Sequence, residues 1–422
     1  MDIGDTVMGV FMKNLKSLAD YAVSFVRWVV VAVLVGGMGG VLGGIFHICI
    51  DKATELRGNF WYLLLFMPVG GIFIKLMYRL FKREDRIDTN LVIKSLRENN
   101  KIPFVMIPLI FISTVVTQLV GGSAGREGAA LQLGGSIGYN AGQLLKLDSN
   151  NMRIIIMSGM SSVFSALFGT PLTAAVFSLE VASVGLLDYT ALLPCVVSAT
   201  AANAVAGAMG IMPVRFEIPQ FTSDLLPTML KVAVLSVLCA LLSIVFCFAV
   251  EKCSHIAKTK FSSPYIRTLS LSIVLVAATL LLGTYDYNGA GMHVIERAMT
   301  GEAQTFDFAL KIAFTAITLA AGFKGGEIVP AFFVGSTFGC VMAPLLGLDP
   351  VLGAAIGFVA LFCGVVNCPI ASILLSVEVF GTSGLLLFAV SCAISYMLSG
   401  PFGLYTSQKI VYSKANNEYI EQ

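Results

Sequence analysis

The chain has 422 residues, of which 57% are apolar and only 12% charged, against about 25% charged in an ordinary soluble domain. With 27 basic and 25 acidic side chains the net charge is +2, which gives no electrostatic footprint for nucleic acid or another polyanion. A soluble globular enzyme, a disordered chain and a nucleic-acid binder are excluded. A mean hydropathy of +0.86 leaves an all-α polytopic membrane protein, with apolar sequence for ten or more spans of about 20 residues each.

Residues 1–22 are polar and mildly amphipathic, show no cleavable signal pattern, and predict an interfacial helix ahead of the first span. Long apolar runs follow at 24–50, 58–81, 102–120, 226–250 and 264–283. Shorter ones at 171–181, 327–340 and 369–380 fall below the roughly 17 residues of a full span. Gly, Pro and charged residues bound these short runs. Such helices are tolerated at membrane depth only where protein buries them or where they line a cavity. Many tilted and re-entrant helices are therefore expected to meet near the midplane. The polar intervals 82–101, 148–153, 216–224 and 252–267, and the tail beyond Lys409, read as loops or interfacial turns, with no soluble regulatory domain. The nine cysteines lie scattered in apolar sequence without C-x-x-C spacing. They read as small buried hydrophobes, and no metal or cofactor is implied.

An internal repeat is visible. The run from Pro171 to Val181 (PLTAAVFSLEV) aligns without gaps on the run from Pro369 to Val379 (PIASILLSVEV), 198 residues later. Upstream, Gly125–Gly128 and Gly135-Ser136 resemble Phe323–Gly326 and Gly335-Ser336 at offsets of 198–200. Duplication of this kind builds transporters whose sites lie at the repeat interface. The division expected is a first half over 23–215 and a second half over 216–422, the latter with a short C-terminal tail.

A charge inside the membrane costs about 2.5–3.5 kcal/mol on insertion scales, so the few present carry information. They are Arg126, Glu127, Glu180, Lys324, Glu327 and Glu378. Arg126 and Glu127 stand in the glycine-rich turn from Gly121 to Gly128, just before an apolar helix. Glycines let backbone N–H groups approach an ion, and the helix N-terminus adds a positive dipole end. This is an anion site made of neutral dipoles, with the Glu127 carboxylate able to compete for it and to be protonated. The bland alternative for Glu127 is a simple cap. In the second half, Gly325-Gly326-Glu327-Ile328-Val329-Pro330 opens another short helix, with the amides of Ile328 and Val329 turned to the ion and Pro330 in the first turn. Glu327 is either a cap or a second protonatable group. Glu180 and Glu378 read as interhelix or interfacial hydrogen bonders, and Lys324 as a snorkelling or paired cation.

The runs Gly125-Arg-Glu-Gly128, Gly134-Gly-Ser-Ile-Gly138 and Gly169–Glu180, then Asn288-Gly-Ala-Gly291, Gly325–Pro330 and Leu404-Tyr405, together resemble the CLC family of anion channels and anion/proton antiporters. They occur in the family's order and spacing over about residues 30–412. The resemblance implies a homodimer with one path per subunit, each subunit an inverted repeat, in the cell membrane. It makes Glu127 the gating glutamate and Tyr405 the central-site tyrosine. The backbone at Gly125, Arg126, Gly128, Ile328 and Val329 would then line the anion's path. Three departures stand out. The family's Gly-Ser-Gly-Ile-Pro is absent, leaving Ile87 or Asp88 at the place of its chloride-marking serine. Val181 occupies the place of the inner proton-path glutamate, and Glu327 replaces an apolar residue. Together they resemble the fluoride-exporting bacterial branch, which implies a bacterial inner-membrane protein exchanging fluoride for protons. A chloride channel or chloride/proton antiporter is the alternative. A more distant one is an intramembrane serine hydrolase, because Gly121-Gly-Ser123-Ala-Gly125 fits G-x-S-x-G. Its base would have to be His47, His255 or His293.

Overall fold

In a computed structural model, described over residues 3–82, 88–98, 100–218, 225–416 and 418–420, the described residues form sixteen α-helices. The first eight are α1 (Ile3–Asn59), α2 (Met67–Leu80), α3 (Thr89–Glu98), α4 (Met106–Leu119), α5 (Glu127–Leu144), α6 (Ser149–Phe168), α7 (Pro171–Glu180) and α8 (Leu192–Ala208). The second eight follow in the same order: α9 (Leu225–Lys260), α10 (Pro264–Leu282), α11 (Met292–Met299), α12 (Asp307–Ala321), α13 (Ile328–Met342), α14 (Pro350–Val366), α15 (Pro369–Phe380) and α16 (Leu385–Leu398). Each of α1 to α8 has its counterpart eight helices on, and the fold is an inverted repeat.

Six stretches among the described residues are long and apolar enough to cross a bilayer, among them Leu18–Asn59, Leu225–Lys260 and Pro264–Leu282. The helices α4, α13, α14, α15 and α16 are apolar but shorter. Protein surrounds the central ones: α14 is buried along nearly its whole length. Their free ends therefore need partners from within the chain.

Several sequence expectations shift. From Ile3 the expected N-terminal helix runs without a break into the first span, as one helix to Asn59. The run 102–120 yields only the fourteen residues of α4, because Pro103 lies ahead of it and Pro108 fits only its first turn. The polar interval 82–101 holds α3, whose buried Val92, Ile93 and Leu96 recur at helical spacing. The interval 252–267 is helical to Lys260 and again from Pro264.

The repeat register also needs correction. α5 begins at Glu127 and α13 at Ile328, and Gly134 and Gly138 correspond to Gly335 and Gly339, all 201 residues apart. A Cβ on any of these four glycines would strike a backbone carbonyl oxygen of the following helix, at Gly159, Ile155, Gly357 and Gly353 respectively. They let α5 lie backbone to backbone on α6, and α13 on α14. The offset falls to 198 only because α14 has 17 residues where α6 has 20. A lost turn inside one helix hid the register upstream of it.

The C-terminal segment is tied down. β1 (Ser183–Val184), just after α7, pairs in parallel with β2 (Lys409–Ile410), and Leu404 N donates to Val365 O at 2.8 Å. This holds Tyr405 in the core, 4% exposed.

Candidate anion path

The two glycine-rich turns meet. Gly125 N donates to Gly326 O at 2.6 Å and Gly326 N to Gly125 O at 2.8 Å, an isolated antiparallel bridge between residues at equivalent repeat positions. A Cβ on Gly125 would collide with the Glu127 carboxylate, and one on Gly326 with the Gly128 amide. Glycine is thus required at both places, and the bridge staples the N-termini of α5 and α13 together.

Glu127 is fully buried at the first position of α5. Its Oε2 accepts from Arg126 N at 3.0 Å and, across the bridge, from Val329 N at 3.3 Å. It therefore caps the other half's helix, seating a carboxylate on a backbone amide the sequence assigned to the anion. Its Oε1 finds no partner among the described residues, and neither does the Tyr405 hydroxyl. Tyr405 lies within electrostatic reach of both Glu327 and Glu127. Ile328 and Val329 are buried in the first turn of α13. Arg126 contributes its amide; its guanidinium is turned away to Asp51, at 3.2 Å.

Glu327 takes the N-cap place of α13 but makes no capping hydrogen bond. It is half-buried and lines a cavity of about 500 Å³, together with Thr89, Gln132, Lys324 and Tyr405. Lys324 Nζ lies 4.8 Å from the centre of the Tyr78 ring. Asp88 also borders this cavity, but it is exposed and accepts from Leu91 N at 2.9 Å, at the start of α3. Ile87 lies outside the described residues.

Two residues here were not singled out from the sequence. Gln132 Nε2 donates to Thr89 Oγ1 at 3.1 Å, while Gln132 Oε1 finds no partner among the described residues. Thr89 is the buried hydroxyl nearest the missing serine's place in sequence, and it donates to Gly128 O at 3.4 Å. A glutamine in the apolar run Ala129–Gly135 was the available signal.

Val181 is fully buried, and Ser123 is buried with its Oγ 3.0 Å from Thr315 Oγ1. The serine's neighbour is a threonine, whereas His47 and His293 pair with Asp51 and Asp286. The G-x-S-x-G spacing here serves a tight turn.

Sixteen helices in inverted halves, with two helix N-termini stapled head to head around one buried carboxylate, define a membrane transport protein for anions. Comparison with known proteins agrees. The profile of the voltage gated chloride channel family matches residues 70–400, and the chain belongs to that family, the CLC proteins. It is 33% identical over 403 residues to a chloride/fluoride channel protein of Pseudomonas syringae, covering 94% of this chain and 89% of that one. It is 26% identical over 321 residues to an H+/Cl− exchange transporter of Vibrio parahaemolyticus, covering 71% and 68%. Among solved structures, a CLC-type fluoride/proton antiporter superposes with a TM-score of 0.88 at 32% identity, covering 91% of this chain and 98% of the other.

Proposed function

We propose that this protein exports fluoride in exchange for protons, as a homodimer with one path per subunit. The observation that carries the reading is the Glu127 carboxylate on the Val329 amide. A carboxylate on that amide competes with a permeating anion, and protonation removes its charge and its claim on the N–H. One group thereby links the anion's access to a proton. Glu327, on the cavity side of the same junction, serves as the second proton-bearing carboxylate, and the unpartnered Tyr405 hydroxyl offers a donor to the ion. Fluoride is small and a strong hydrogen-bond acceptor, which suits a path of amides, a phenol and protonatable carboxylates. The 32% identical structure is named a fluoride/proton antiporter, and the Pseudomonas relative is named for both chloride and fluoride.

The test is reconstitution into liposomes with fluoride and chloride electrodes and a proton indicator. Fluoride efflux faster than chloride, with protons taken up in step, is the expected result. Chloride efflux as fast as fluoride would overturn the choice of ion. Fluoride efflux without proton movement would overturn the exchange.

A further inference from the structure

The sequence contains three histidines, and one lies on α1 and one on its counterpart α9. Near the end of α1, His47 Nε2 lies 2.9 Å from Asp51, four residues on. Asp51 in turn holds Arg126, the N-cap residue of α5. Near the end of α9, Glu251 and His255 are again one helical turn apart. Both line the cavity that reaches Glu327, the N-cap residue of α13. Because α1 and α9 are counterparts in inverted halves, the His47–Asp51 pair and the Glu251 and His255 side chains lie toward opposite ends of the proposed path.

On α9 the cavity-lining residues are Cys247, Val250, Glu251, Ser254, His255 and Lys258. Their spacing of three and four turns one face of the helix onto the cavity, while Ile256 is exposed. A second cavity, of about 430 Å³ and bordered by Glu180, opens at the end of α7, but the groups there are not free to carry a proton inward. Val181 is apolar and fully buried, and both oxygens of Glu180 are held by amides of α15. The cavity itself, at about 500 Å³, has room for a file of waters at the ~30 Å³ each occupies in the liquid.

We propose that His255 and Glu251 form the proton relay of this cavity, a reading that rests on the exchange function above. The imidazole takes a proton from bulk water. It then passes a proton through cavity water to the Glu327 carboxylate, which becomes neutral, and the imidazole returns to its neutral form. Glu251 stabilises the imidazolium between the two steps. An imidazole suits this task because one ring nitrogen accepts while the other donates. Among the described residues, the other charged or titratable groups bordering the cavity come from four places. Asp88 comes from the start of α3, Lys324 and Glu327 from the α12–α13 link, and Tyr405 from the C-terminal segment. Cys247 and Lys258 lie on α9 itself, with Lys414 in electrostatic reach of Cys247. The two cavity lysines favour the anion, and the carboxylates and imidazole favour the proton.

The experiment follows fluoride efflux and proton uptake by the full-length protein in liposomes. The E251Q/H255Q variant should slow coupled turnover by about tenfold, less than the roughly 10²–10⁴ of a group in direct proton transfer, because water still reaches Glu327. Imidazole buffer added on both sides should restore the rate, which a merely structural defect would not allow. The single variants E251Q and H255N, each checked by thermal unfolding, cover the case in which the double variant does not fold. Unchanged turnover, or slowed turnover that imidazole does not restore, overturns the relay. Fluoride efflux without protons in the unsubstituted protein would instead overturn the exchange reading itself.

Discussion

Glu180 and Glu378 cap each other's helices. Glu180, in the last turn of α7, accepts from Ile370 N and Ala371 N in the first turn of α15, at 3.1 and 2.9 Å. Glu378, in the last turn of α15, accepts from Leu172 N and Thr173 N in the first turn of α7, at 2.9 and 2.8 Å. The residues are 198 positions apart and exchange roles under the repeat's pseudo-twofold. Each carboxylate neutralises a positive helix end that could otherwise hold an anion. The N-termini of α5 and α13 differ in sharing the single Glu127 carboxylate, and the proposed path runs between them.

Removing one of these carboxylates leaves two first-turn amides without acceptors. Glu180→Ala is expected to destabilise by about 2–4 kcal/mol, since hydrogen bonds to a charged group contribute about 1.5–3 kcal/mol each and the site is buried. Glu378→Ala should cost about half as much, because Glu378 is half-buried. The double variant should lose less than the sum, as both act on one α7–α15 contact. Thermal unfolding in detergent reads all three, and a Glu180→Ala protein as stable as the parent would show that these bonds contribute nothing.

Much of this was legible because charge is so rare in the chain. Arg126, Glu127 and Glu327 beside glycines marked both stapled helix ends, and the Pro171 and Pro369 runs marked the repeat. The missing parts have physical causes. Glu127's bond to Val329 joins residues 202 positions apart, and no local pattern announces it. α3 hid among polar residues because only one stripe of it is buried. Gln132 and Thr89 gain their place through α3 packing on α5, and neither carries a charge to draw notice.

Tyr405 permits a clean separation of ion binding from folding. Its ring is buried, but its hydroxyl has no partner among the described residues. Tyr405→Phe should therefore leave thermal stability within about 0.5 kcal/mol of the parent, since no intramolecular hydrogen bond is lost. If the hydroxyl serves the anion, fluoride affinity should fall by about tenfold, the equivalent of one hydrogen bond of about 1.4 kcal/mol. Isothermal titration with fluoride measures it. Unchanged affinity would remove Tyr405 from the path.

Acid sensitivity has a local source in the loop between α10 and α11. Burial pushes the Asp286 carboxyl up, but the His293 hydrogen bond and the Arg297 charge outweigh it and hold it below the usual carboxylate range. His293 Nε2 and Arg297 Nη1 lie 3.1 and 3.2 Å from its two oxygens. A carboxyl depressed in the folded state stabilises above its unfolded value of 3.8, and that contribution disappears as pH falls through the lower folded value. Asp286→Asn should accordingly lower the unfolding temperature at about pH 6 and shrink the difference from the parent below about pH 4. A difference that persists undiminished in acid would show that charge is not its cause.

Glu127 is the residue on which the transport reading stands, and two substitutions separate its two roles. Glu127→Gln keeps the size and an oxygen for the Val329 amide but cannot exchange a proton. Proton uptake should stop while the protein still folds. Glu127→Ala instead frees the amides of Arg126 and Val329, both now taken by Oε2. With no carboxylate competing, anion affinity should rise by about tenfold, the equivalent of about 1.4 kcal/mol for one charge-assisted bond regained. Proton flux measured beside fluoride titration distinguishes the cases. Proton uptake that continues in Glu127→Gln would place the coupling elsewhere. Affinity unchanged in Glu127→Ala would mean that the anion does not use the amides on which the carboxylate sits.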